Sequence, residues 1–83
     1  MYLDIGGSLS VRESAIVGIF DLDNTSVSAR SRETLALAER NGWVVPCDGL
    51  PKAFVLTAEY GLIRIYLTEY SSITLEKRLK NKL

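Results

Sequence analysis

No histidine occurs among the 83 residues, and cysteine occurs once, at Cys47. The first absence removes the commonest general base and the commonest transition-metal ligand. A single cysteine excludes a disulfide within one chain and any cysteine-rich zinc site built from one chain. Charge of one sign is missing too, since ten Lys and Arg offset ten Asp and Glu. A neutral chain does not coat any acidic polymer it meets, although a local basic patch is compatible with it. The longest apolar run, Ala15 to Phe20 counting Gly18, is far too short to cross a bilayer. Met1-Tyr2-Leu3-Asp4 lacks the basic-then-apolar pattern of a signal peptide. A cytoplasmic protein without a membrane segment is the expectation. Any catalysis would rest on carboxylates, hydroxyls, Lys or Cys47.

What the chain does have is apolar substance: hydrophobic residues make up 47% of it. Its length predicts one domain, residues 1–83. A chain this short buries only about 60–65% of its unfolded surface, so a lone subunit would be modestly stable. The apolar share supplies a core and leaves surface over for contact between subunits.

Tyr2 to Ile5 reads as a short strand, Gly6-Gly7-Ser8 as a turn, and Leu9 to Val11 as a strand able to pair back. Ile16 to Leu22, β-branched and aromatic, predicts a buried strand. A polar connection, Asp23 to Ser28, leads into a helix over roughly Ala29 to Asn41. Ser28 fits its N-cap, and Gly42 fits the left-handed position after its end. Thr34, Leu35 and Ala38 would face inward, with Arg30, Arg32, Glu33, Glu39 and Arg40 solvated. Trp43-Val44-Val45 reads as a strand ended by Pro46, and Asp48-Gly49-Leu50-Pro51 as a turn. Phe54 to Glu59 and Leu62 to Thr68 form a hairpin around Tyr60-Gly61. Ile63, Ile65 and Leu67 alternate with Leu62, Arg64 and Tyr66, so both faces of the last strand carry apolar residues. That pattern predicts a helix over one face and a neighbour over the other. Ser71 or Ser72 caps a final helix with Leu75, Leu79 and Leu83 at four-residue spacing. Its Lys77, Arg78, Lys80 and Lys82 lie toward the negative end of the helix dipole. The expected fold class is α+β: a small, mostly antiparallel sheet with one central helix and a short C-terminal helix.

The strand ending in Asp21-Leu22-Asp23-Asn24-Thr25 resembles the first motif of the haloacid-dehalogenase phosphohydrolases. That resemblance implies Asp21 as nucleophile, Asp23 as acid/base, Thr25 as an orienting hydroxyl and a bound magnesium. Thr57 would mimic the second phosphate-binding hydroxyl. Phosphoryl transfer needs its charge neutralised by a metal cradle and a cation. After Thr57 the chain offers only Glu59, Glu69 and Glu76, none in a strand-end acidic pair. The fold also needs several parallel crossovers, for which a chain of this length with a terminal hairpin has no room. A turn solvated by Asp21, Asp23, Asn24 and Thr25 accounts for the same residues. The expectation is therefore a protein with no catalytic residue, no metal and no cofactor.

A second resemblance covers nearly the whole chain. It is carried by Tyr2-Leu3-Asp4-Ile5-Gly6-Gly7, by Ile16-Val17-Gly18-Ile19-Phe20-Asp21, and by Trp43-Val44-Val45. It continues through Leu50-Pro51-Lys52-Ala53-Phe54-Val55 and Ser71-Ser72-Ile73-Thr74-Leu75-Glu76-Lys77-Arg78-Leu79. In order and spacing these pieces resemble the RemA/RemB family of bacterial extracellular-matrix regulators, and RemB more than RemA. The resemblance implies a small α+β protein that assembles into a homo-oligomeric ring and controls biofilm genes. RemA-type members bind duplex DNA repeatedly through arginines on the oligomer. A ring multiplies the few phosphate contacts one subunit can offer.

The chain departs from RemA at the arginines. Ala15 stands where RemA-like chains place an arginine before the central strand, and Gly49-Leu50-Pro51-Lys52 holds one basic residue in place of an arginine cluster. Arg12 and Lys52 are the nearest cations to those regions and the first candidates for DNA contact. Arg64 and Arg78 are secondary. Each also has a plainer reading: Lys52 as a solvated turn lysine, Arg12 as a strand-end arginine, Arg64 paired with a carboxylate, Arg78 as a solvated helix end. Trp43 suits a core better than a base-stacking platform. The alternative function is a protein-interaction module of the same pathway that does not touch DNA. Neither reading requires a small-molecule substrate.

Overall fold

The computed structural model describes residues 1–7, 9–22 and 29–80. The expectations for Ser8, Asp23, Asn24, Thr25, Ser28, Lys82 and Leu83, and for the side chains of Arg30 and Lys80, lie outside the described residues. The chain is α+β, and the described residues form two helices and two mostly antiparallel sheets. Strands β1 (Tyr2–Gly6) and β2 (Leu9–Arg12) pair as a two-stranded sheet, followed by a single 3-10 turn at Glu13–Ala15. Then come β3 (Ile16–Asp21), helix α1 (Ala29–Arg40), β4 (Val44–Val45), β5 (Ala53–Glu59), β6 (Leu62–Thr68) and helix α2 (Ser72–Lys80). The second sheet has the order β3-β5-β6-β4, antiparallel except for β4, which runs parallel to β6.

Local chemistry sets the element ends. Tyr60 (φ 53°) and Gly61 (φ 77°) are both left-handed, as a two-residue hairpin turn matched to the strand twist requires. β5 begins at Ala53, one residue before its expected start. Helix α1 closes with Gly42 at φ 71°. The Gly42 N–H donates to the Glu39 carbonyl at 3.2 Å, and the Trp43 N–H to the Ala38 carbonyl at 2.9 Å. These two bonds form a Schellman ending. Between the two candidate caps of α2 the structure selects Ser71, whose Oγ accepts the Thr74 N–H at 3.1 Å. Ser71→Ala should therefore lower stability by about 1 kcal/mol in thermal unfolding, and Ser72→Ala should be near neutral.

The four-stranded sheet is covered on both faces by its own chain. On one face Phe54, Ile65, Leu67 and Phe20 meet Leu35 and Ala38 of α1, together with Trp43. On the other, Ala53, Val55 and Tyr66 meet Leu3 and Ile5 of β1, Val11 of β2, and Leu75 and Leu79 of α2. The expectation that a neighbouring molecule covers this second face is thus corrected. The β1–β2 hairpin and α2 fill that place, because their apolar residues need a partner as much as the sheet does. Thr68 ties the layers together: its Oγ1 donates to the Ile5 carbonyl at 2.7 Å and accepts the Tyr70 N–H at 3.1 Å.

Strand β3 differs from its expected burial. It is an edge strand, half-buried along most of its length, and Val17 is 64% exposed. The register shifts between Ile16 and Gly18, which makes Val17 the extra residue of a bulge. β-Branched composition signals a pleated surface, not which of its sides is covered. Among the described residues, no helix is long and apolar enough to cross a membrane.

Candidate functional site

The site follows from strand alternation. Thr57 pairs with Arg64 and Glu59 with Leu62 across the β5–β6 hairpin. Residues two apart share a face, so Glu59, Leu62, Arg64 and Tyr66 lie on the face that carries Val55. That face meets the β1–β2 hairpin, where Tyr2 and Arg12 are register partners. Between hairpin and sheet lies an open groove of about 250 Å³, lined by Tyr2, Arg12, Glu59, Tyr60, Arg64 and Tyr66 among others.

Inside it Arg12 is held from several sides. Its Nε lies 3.3 Å from Glu59 Oε2, and its Nη1 donates a long bond of 3.5 Å to the Tyr60 hydroxyl. The hydroxyls of Tyr2 and Tyr60 and the Glu59 carboxylate all raise the Arg12 pKa above its usual value. Tyr60 takes a left-handed conformation that a bulky L-residue rarely adopts. Arg64 is exposed, and among the described residues no carboxylate pairs with it; its backbone carbonyl accepts the Thr57 hydroxyl at 3.3 Å. The groove therefore contains two guanidinium groups, one carboxylate and three phenols. Guanidinium forks and phenolic O–H donors suit phosphate oxygens, and phenol rings offer stacking faces.

Two of the four candidate cations converge here and two do not. Lys52 stands at the opposite end of β5, about 20 Å away along the strand. Its backbone N–H donates to the Thr68 carbonyl and its carbonyl accepts the Leu22 N–H, both at 2.8 Å, while its side chain is exposed. Arg78, on α2, bridges to Asp4: Nη1 lies 3.6 Å from Oδ2 and donates to the Asp4 carbonyl at 3.2 Å. It also lies over the Tyr70 ring, 4.5 Å from the centroid. Arg78 thus fastens α2 to β1. Trp43 packs against the α1-side core.

Of the residues that resemble the phosphohydrolase motifs, Asp21 and Thr57 are described, and they stand apart. Asp21 pairs with Ala53 and Ile16 with Thr57, so Asp21 and Thr57 stand at opposite ends of the β3–β5 ladder. Four residues of strand separate them, about 13 Å. Among the described residues, no group of three His, Cys, Asp or Glu could hold a metal ion. A second cleft, lined in part by Gly6, Cys47, Asp48, Glu69 and Tyr70, lies at the other end of the β1–β2 hairpin.

Sequence reasoning missed Glu59 and the tyrosines. The Tyr60-Gly61 turn contains the signal for part of this, since it sets the register that puts Glu59, Arg64 and Tyr66 on one face. Nothing local places Arg12 opposite them. The chain matches no protein-family model and no curated protein.

Proposed function

We propose that the protein is a non-enzymatic regulator of the RemA/RemB kind, closest to RemB. In this reading it acts in the cytoplasm as a homo-oligomer and binds duplex DNA through phosphates to control extracellular-matrix genes. It uses no cofactor and no small-molecule substrate. The observation that carries the reading is the groove: Arg12 and Arg64, far apart in sequence, meet beside Tyr2, Tyr60 and Tyr66. With a net charge of zero, attraction to DNA has to come from such a cluster repeated around an assembly. Val17, Leu62 and Ile63 remain exposed apolar residues in the single chain and are available to contacts between subunits.

Arg64 becomes the leading contact, since no carboxylate among the described residues competes for it. Sedimentation at micromolar concentration should show a multi-subunit species. Its log affinity for duplex DNA should fall linearly with log salt, by roughly 0.9 per neutralised phosphate. Arg64→Ala should weaken binding to all duplexes alike, by about tenfold or more at low salt, and flatten that slope. An intact oligomer that binds no duplex at low salt would remove the DNA assignment. The protein-interaction reading would then take its place, supported by exposed Tyr60 and Leu62 at the rim of the same groove.

A further inference from the structure

The two arginines of the groove are not equivalent. Arg64 faces solvent, whereas Arg12 is engaged by Glu59 and by the hydroxyls of Tyr2 and Tyr60. Both partners of the ion pair keep water contact, the Arg12 side chain being 44% and the Glu59 side chain 36% exposed. A pair this exposed is weakly held. An incoming anion can therefore displace the carboxylate from the guanidinium. The backbone of Glu59 is held at the end of β5, directly before the two-residue turn, so its carboxylate remains within reach of the groove. It stays as a negative charge beside any phosphate that arrives.

We propose that Glu59 is a built-in competitor of phosphate, holding Arg12 in an autoinhibited ion pair that weakens polyanion binding at the groove. This rests on the reading of the groove as a phosphate site and adds how that site is tuned. The guanidinium has five N–H donors in a rigid fork. The carboxylate at Nε and the phenol at Nη1 occupy donors that a phosphate would otherwise take as a bidentate pair. With Glu59 charged, the groove carries a net charge of one. Neutralising Glu59 doubles it and frees the fork. Tyr2 and Tyr60 remain to orient Arg12, so the released guanidinium stays at the groove wall. The same contact sets binding strength: a site that binds weakly by itself engages DNA only when many copies act together.

The test is a double-mutant cycle on the native oligomer, with a short mixed-sequence duplex as probe and fluorescence anisotropy across a salt series. Glu59→Gln keeps the shape of the side chain at a half-buried strand end, and unchanged sedimentation and circular dichroism verify the fold. The expected result is binding about three- to tenfold tighter than that of the unaltered chain at low salt, with a salt slope steeper by roughly 0.9 per subunit in contact. Arg12→Ala in the Glu59→Gln background should remove the gain. Three outcomes overturn the proposal: Glu59→Gln binds no tighter, the gain survives Arg12→Ala, or the slope is unchanged. If the unaltered chain binds, Arg64→Ala abolishes binding and Glu59→Gln binds no tighter, the DNA reading stands while the role of Glu59 falls. If no variant binds, including Glu59→Gln, both fall together.

Discussion

Phe54→Ala should lower the free energy of unfolding by about 3–5 kcal/mol. Phe54 is 1% exposed and is among the largest fully buried side chains. Its ring stacks on Phe20 with centroids 4.9 Å apart and planes 21° from parallel. Phe20 in turn depends on Gly18, where a Cβ would meet the Phe20 ring at 3.0 Å. The bare glycine lets the ring lie along the strand and reach Phe54. Truncation at position 54 therefore removes a buried ring and leaves its stacking partner beside a void. A domain of this size has about 4–12 kcal/mol in total, at 0.05–0.15 kcal/mol per residue. The loss is a large part of that. Urea unfolding should show a lower midpoint with an unchanged slope. A loss below about 1 kcal/mol would mean that α1 collapses onto the gap, and the packing account of this face would be wrong.

Thr68→Val should cost about 2–3 kcal/mol although it scarcely changes volume. Thr68 is fully buried, and its hydroxyl both donates to Ile5 and accepts from the Tyr70 N–H. Valine supplies neither bond and leaves two backbone groups unpaired where β6 meets β1. Thr68→Ser keeps the hydroxyl and should recover most of the loss. Hydrogen exchange should locate the defect, with protection falling first at β1 and at Tyr70. A larger loss for Ser than for Val would show that the methyl group matters here more than the hydrogen bonds.

The features legible in the sequence share one property: each is decided by a few neighbouring residues. Tyr60-Gly61 marks the hairpin because the turn needs two left-handed residues. Gly42 marks the end of α1 for the same reason, and a serine marks the start of α2 because its hydroxyl reaches the Thr74 N–H. The alternation of Leu62 to Leu67 shows two apolar faces without showing what covers either. The expectation of a neighbour on the second face failed at that point, since the β1–β2 hairpin competes for the same place and is tethered to it. The burial of β3 was misjudged for a related reason. Ile16 to Phe20 is as apolar as an interior strand, but strand order is a property of the whole sheet.

For the site, the sequence by itself determined its ingredients. No histidine and a single cysteine narrow the chemistry to charge, hydroxyl and ring. Strand period two places Glu59, Arg64 and Tyr66 on one face once the turn is known. Tertiary structure alone decided which cations lie together. It brought Arg12 to that face, gave it Glu59 as a partner, left Lys52 at the far end of β5, and committed Arg78 to Asp4 and Tyr70. The physical reason is range. Turns, caps and alternation follow from sterics and hydrogen bonds within a few residues, whereas the meeting of β2 with β5 and β6 follows from burial of Leu3, Ile5 and Val11 against Val55. That burial has no direction in sequence, and only the folded chain shows which charges it carries along.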